Sequence, residues 1–181
     1  RVRVHLGTAE RMGKVILLGS QDLLSTSQTG FCQVVLSEPL VAMRGDRFIV
    51  RDETAQRTLG GGVVIHPWVH PHTRRERELE SKLKTFHTGS VPAILELFLD
   101  EHDEFAIPLA PVFQFLNLRA EEALALARDV PAVRTVGLEG EELFTTHRKW
   151  AALTATLLAG LREFHAITPL ARGRDMEELR D

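Results

Sequence analysis

The sequence predicts an all-β unit, a six-stranded antiparallel barrel, followed by α+β modules of winged-helix type. Three observations predict it. Residues 1–66 alternate apolar and polar positions like half-buried strands. Beyond the proline-punctuated stretch 67–75 the apolar period becomes helical. The charge changes at the same place: residues 1–72 hold eight Lys and Arg against six Asp and Glu, residues 73–181 fourteen against nineteen. The expected division is a barrel over 1–66, a linker over 67–80, a winged helix over 81–146, and the truncated start of a second winged helix over 147–181.

In the first unit, Val2, Val4 and Leu6 share one face, and Lys14 to Leu18, Cys32 to Leu36, Phe48 to Val50 and Leu59 to Ile65 add strand candidates. Gly19-Ser20, the polar stretch from Ser25 to Gly30, Pro39 and Arg44-Gly45-Asp46 supply the turns. Short strands with no intervening helix point to an antiparallel barrel or sandwich. Gly60-Gly61-Gly62 inside a strand pattern marks a bulge or a close backbone approach.

Pro67-Trp68-Val69-His70-Pro71-His72 is punctuated by proline and expected to be extended. His66, His70 and His72 offer three imidazoles, but without a fixed fourth ligand the stretch reads as a solvated linker with Trp68 packed on one unit, not as a metal site. Glu76, Glu78 and Glu80 read as a solvated helix face. Val91, Ile94, Leu95, Phe98 and Leu99 form an amphipathic stripe, with Ser90 as N-cap and Pro92 near the first helical position. A second helix is expected over Pro108 to Phe115, and a third, capped by Asn117, over Leu118 to Arg128. Ala132 to Val136 and Glu142 to Thr145 then form a hairpin around Gly137 to Glu141. A long helix spans about His147 to His165. Ile167 to Leu170 and Arg174 to Arg180 read as the strand and second helix of a further module.

Composition bounds the function. The hydrophobic share of 44% and charged share of 26% are those of a globular protein. No apolar run approaches the ~18 to 20 residues of a membrane span, and no signal peptide is visible, so a cytoplasmic, membrane-free protein is expected. A single cysteine, Cys32, fits a reducing compartment. The opening Arg1, in place of Met, is expected of a piece of a longer chain. A net charge of -3 argues against a broadly basic nucleic-acid surface. The third helix carries Arg119 and Arg128 against Glu121 and Glu122, and the wing carries Glu139, Glu141 and Glu142, with Arg148 and Lys149 the only basic neighbours after it. That balance reads as a spacer, not an RNA reader. There is no nucleophile–base set to make a hydrolase.

Gly45 to Pro67, GDRFIVRDETAQRTLGGGVVIHP, resembles the end of the third domain of the bacterial selenocysteine-specific elongation factors, relatives of elongation factor Tu. Arg3 to Glu10 is similar to the opening strand of that domain, and Leu161 to His165 with Pro169-Leu170 and Glu177 to Arg180 to the start of the second winged helix. The resemblance implies an elongation-factor-Tu-like third domain within a factor that delivers selenocysteinyl-tRNA to the ribosome at recoded UGA codons. The barrel would help hold the acceptor and T stems, and the first winged helix would be a spacer toward a C-terminal module, missing here, that binds an mRNA hairpin. GTP and Mg would belong to the full-length factor; the sequence has no G-x-x-x-x-G-K-[ST] or Asn-Lys-x-Asp motif, so no cofactor and no enzymatic activity are expected of this chain. It is expected to be a monomer. By the same resemblance the tRNA-contact candidates are Arg51, Asp52, Glu53, Thr54, Gln56 and Arg57, with backbone amides of that loop, and His5 and Thr8 nearby. Without a ligand, the loop would be a solvated hairpin tip with an internal Arg–carboxylate pair. The alternative is a winged-helix DNA-binding transcription regulator with a β-barrel sensing domain, which would need a basic recognition helix.

Overall fold

The computed structural model describes residues 1–19, 23–69, 78–175 and 177. Five strands build the first unit: β1 (Val2–Leu6), β2 (Ala9–Leu17), β3 (Cys32–Leu36), β4 (Arg47–Arg51) and β5 (Thr58–Val63). They form one curled, wholly antiparallel sheet in the order β3-β2-β1-β4-β5. The expected sixth strand is not found among the described residues, where β3 and β5 are unjoined edges. The stretch between them that had room for a strand, Leu40 to Met43, is irregular and leaves Val41 88% exposed.

Strand alternation separates two faces. Register puts Val4 opposite Val50, Leu6 opposite Phe48 and Gly13 opposite Leu36, and this face holds the buried Val4 and Val50. The other face carries Arg3, His5, Glu10 and Arg51. The glycine tract does what its pattern implied. A Cβ on Gly61 would lie 2.5 Å from the Phe48 carbonyl oxygen, and one on Gly62 would lie 2.8 Å from the Phe48 ring. The β4–β5 register also shifts between Val50 and Arg51, a bulge at the mouth of the hairpin.

The second unit runs α1 (Leu79–Thr88), α2 (Val91–Glu101), α3 (Leu109–Leu116), α4 (Ala120–Asp129), β6 (Val133–Leu138), β7 (Glu141–Thr146) and α5 (His147–Ile167). Ser90 caps α2 by accepting from Ala93 N, and Ile94, Leu95, Phe98 and Leu99 are buried as the stripe predicts. Asn117 is a correction: it ends α3 in a left-handed conformation (φ 55), its N–H turned back to Gln114 O, while α4 starts after Arg119, whose N–H donates to Glu122 Oε2. The β6–β7 turn is two residues, Glu139 (φ 52) and Gly140 (φ 87), the positive-φ pair a tight hairpin needs. Ile107 bridges Phe144 through a reciprocal backbone pair, adding a short third strand.

The core of this unit is aromatic. Phe98 stacks on Phe115 at 4.1 Å, Phe86 meets Phe115 edge-on, and Leu95, Ile107, Val112 and Phe144 close around them. Each such side chain contributes roughly 1.5–3 kcal/mol.

Two further corrections concern the ends of this unit. Ile167 is the last residue of α5 and Pro169-Leu170 lie in a turn, so the strand expected at Ile167 to Leu170 is absent. The helix expected over Arg174 to Arg180 falls largely outside the described residues, as do Arg75, Glu76, Arg77, His70 and His72. His66 is not a solvated linker residue: its ring, half-buried, packs against the helical core, 4.6 Å from Phe115 and 5.2 Å from Phe86 between ring centres. Trp68 packs on Phe115 as well. No group of three His, Cys, Asp or Glu that could hold a metal ion occurs among the described residues.

Candidate RNA interface

The bulge and the β4–β5 hairpin present residues 52–57 at one end of the sheet. Asp52 organises this loop. Its Oδ1 accepts from Gln56 N (2.7 Å) and Arg57 N (3.1 Å), and Thr54 Oγ1 donates to its Oδ2. Its backbone closes the same turn, with Asp52 N donating to Arg57 O and Ala55 N to Asp52 O. These bonds, the Arg57 amide foremost, hold the Asp52 carboxyl below its ordinary pKa. Ala55 takes a left-handed φ of 57 at the tip.

The carboxylate therefore bonds backbone amides, where an Arg–carboxylate pair was the expectation for an unliganded tip. It also consumes the amides of Gln56 and Arg57, which removes two of the backbone donors expected to face RNA. What the loop offers instead is side chains. Arg57 is exposed, and its guanidinium has no partner among the described residues. Arg51 is half-buried at the loop's base, with a buried Nε that has no hydrogen-bond partner among the described residues.

Strand order brings β1 beside the loop. Arg51 lies opposite Arg3, and Arg3 Nε donates to Glu53 O at 2.6 Å. Arg3 Nη1 also bonds the Glu10 carboxylate, and His5 Nδ1 lies 3.6 Å from Glu10 Oε2. The Arg3 hydrogen bond is the main reason the Glu10 carboxyl sits below its ordinary pKa. His5 is thus on the same face as the loop's base. Thr8 is not brought there: it sits in the β1–β2 turn at the opposite end of β1, roughly 15 Å along the strand from Arg3. Sequence reasoning did not single out Arg3 and Glu10, because their place beside the loop depends on β1 lying between β2 and β4.

The helical unit offers less to a polyanion. Arg119 pairs with Glu122 at 2.6 Å, and Arg128 makes a forked pair with Glu142. Arg148 is engaged by Asp100, and Lys149 Nζ donates to the carbonyls of His102 and Glu104. Arg119, which caps α4, and Arg128 in its last turn are thus already neutralised by carboxylates. An apolar groove between Val41, Met43, Trp68, Phe113 and Leu118 has no charged residue in its lining. Cys32 is half-buried, and burial pushes its thiol pKa up, the reverse of an activated nucleophile. No helix among the described residues is long and apolar enough to cross a membrane.

Residues 1–70 match the family model described as the β-barrel domain of the selenocysteine-specific elongation factor. A selenocysteine-specific elongation factor of Desulfomicrobium baculatum is 34% identical over 80 residues, 44% of this chain and 12% of the relative. Among solved structures, the bacterial selenocysteine-specific elongation factor EF-Sec superposes with a TM-score of 0.64 at 20% identity, over 99% of this chain and 26% of that one. The resemblance read from the sequence holds, and it covers a small part of each relative's length.

Proposed function

We propose, for a chain whose residues 1–70 match the β-barrel domain of the selenocysteine-specific elongation factor, that loop 51–57 helps hold the acceptor and T stems of selenocysteinyl-tRNA. The observation that carries this reading is the loop itself: a turn fixed by Asp52, with the guanidinium of Arg57 free of partners among the described residues and that of Arg51 at its base. Backbone phosphates and 2′-hydroxyls ask for donors of this kind on an exposed, pre-shaped loop, and need no base readout. The role is binding and positioning within a translation elongation factor. GTP and Mg would be held by other parts of the full-length protein, with the ribosome as its destination, the cytoplasm as its compartment and a monomer as its working form.

We read residues 81–146 as a winged helix acting as a spacer, and α5 as the first helix of a second such module, toward a C-terminal part that grips the mRNA hairpin. The order α2, short strand at Ile107, α3, α4 and hairpin, with α1 ahead of it, supports the winged helix. Neutralisation of Arg119 and Arg128 supports the spacer role and speaks against a DNA-binding regulator, whose recognition helix needs free positive charge.

The test is the double variant Arg51→Ala plus Arg57→Ala in the intact factor. Affinity for selenocysteinyl-tRNA should fall, and the slope of log affinity against log salt should shrink by about 1–2, one for each phosphate the variant no longer neutralises. An unfolding curve like the parent's should accompany it. Unchanged affinity at low salt would remove the loop from the interface.

A further inference from the structure

We propose that Arg3, held by Glu10, is the positioning residue that sets the shape of loop 51–57 for RNA. This rests on the reading of that loop as the tRNA interface. Three strands converge on the point. From β1, Arg3 spans the gap between β2 and the β4–β5 hairpin, with Nη1 on the Glu10 carboxylate and Nε on the Glu53 carbonyl at the loop tip. Asp52 closes the loop internally, and Arg3 is the side chain that ties it to the sheet.

Glu10 is otherwise hard to place. An acid beside Arg3, His5 and Arg51 subtracts from the field that attracts a polyanion. Arg3 and Arg51 also face each other across β1 and β4, where like charges directly opposite repel. Glu10 offsets that repulsion and fixes the rotamer from which Arg3 reaches Glu53. The planar guanidinium serves both partners at a set angle, and a lysine, with one compact ammonium, does not.

The two roles Glu10 could have predict opposite signs. If only its charge counts, Glu10→Ala strengthens RNA binding. If it positions the loop through Arg3, Glu10→Ala weakens binding although a negative charge is gone. The 181-residue chain and its variants Glu10→Ala, Glu10→Gln, Arg3→Lys and Arg57→Ala are titrated with an acceptor–T-stem RNA minihelix at low salt. Amide exchange is followed at Gln56 and Arg57, with Val50 in β4 as reference.

The expected result is exchange faster by on the order of tenfold at both loop amides in Glu10→Ala and Arg3→Lys, with Val50 unchanged. Affinity should fall by roughly three- to tenfold in both, and Glu10→Gln, which keeps an acceptor, should recover most of it. Unchanged loop exchange, or tighter binding by Glu10→Ala, overturns the positioning role. If Arg57→Ala binds like the parent, or the parent ignores the minihelix, the interface reading falls instead, and the exchange rates alone decide whether Arg3 holds the loop.

Discussion

Asp52 shows how one side chain turns a hairpin tip into a fixed shape. Its carboxylate bonds two amides of its own loop, so the turn is strongest when the group is charged. The folded pKa lies below the ordinary value of about 3.9, so this contribution is fully present above that value and is lost as pH falls through the lower, folded one. Following the Gln56 and Arg57 amides by NMR should give a titration midpoint below the ordinary aspartate range. A midpoint at or above it would mean that the carboxylate does not hold those amides. At this scale the sequence was half legible. The Arg51–Arg57 stretch could be picked out as a polar loop between two strands. Which of its donors were free, and that Arg3 and Glu10 stand beside it, depended on pairings between residues up to fifty positions apart.

Among the elements, β5 tests the reading of its glycines most sharply. Gly60 and Gly61 are neighbours in one strand, yet an added methyl meets nothing within 4 Å at Gly60 and the Phe48 carbonyl oxygen at 2.5 Å at Gly61. Gly61→Ala should destabilise the sheet by roughly 1–3 kcal/mol, and Gly60→Ala should be neutral or slightly stabilising. Equilibrium unfolding of the two variants checks this, and equal effects would contradict the close approach. Strand and helix signals were legible wherever the period was long and regular, as in α2 and β1. They failed where the pattern was short. The stripe Leu79, Leu83 and Phe86 of α1 is only three residues and follows a stretch broken by two prolines. Asn117 fits a start or an end equally well in sequence, because its side chain can cap a helix and its backbone tolerates a left-handed turn.

Across the whole molecule, the segment after β5 does more than connect. His66 sits among Phe86, Phe98 and Phe115, Arg44 Nη2 donates to Phe86 O at 2.8 Å, and Phe31 meets His87 edge-on. Together these contacts seat the sheet on the helical unit. A histidine next to a proline reads as linker in sequence, and its aromatic pocket exists only once three helices have folded. His66→Ala should cost roughly 1–3 kcal/mol in the unfolding of the helical unit, although His66 lies outside it in sequence. Denaturation followed at Phe-rich core resonances checks this, and an unchanged midpoint would mean that the segment is merely laid against the core.

The division of labour between the two units is tested most directly by mapping the RNA footprint on the chain in solution. Backbone amide resonances are followed while an acceptor–T-stem minihelix is added at low salt. Shifts should concentrate at residues 51–57 and at Arg3 and His5, with α4 and the β6–β7 hairpin unmoved, because Glu122 and Glu142 hold Arg119 and Arg128 and Arg134 lies over the Trp150 ring. Shifts centred on α4 and the hairpin, with the loop silent, would contradict it and make the helical unit the RNA-binding part.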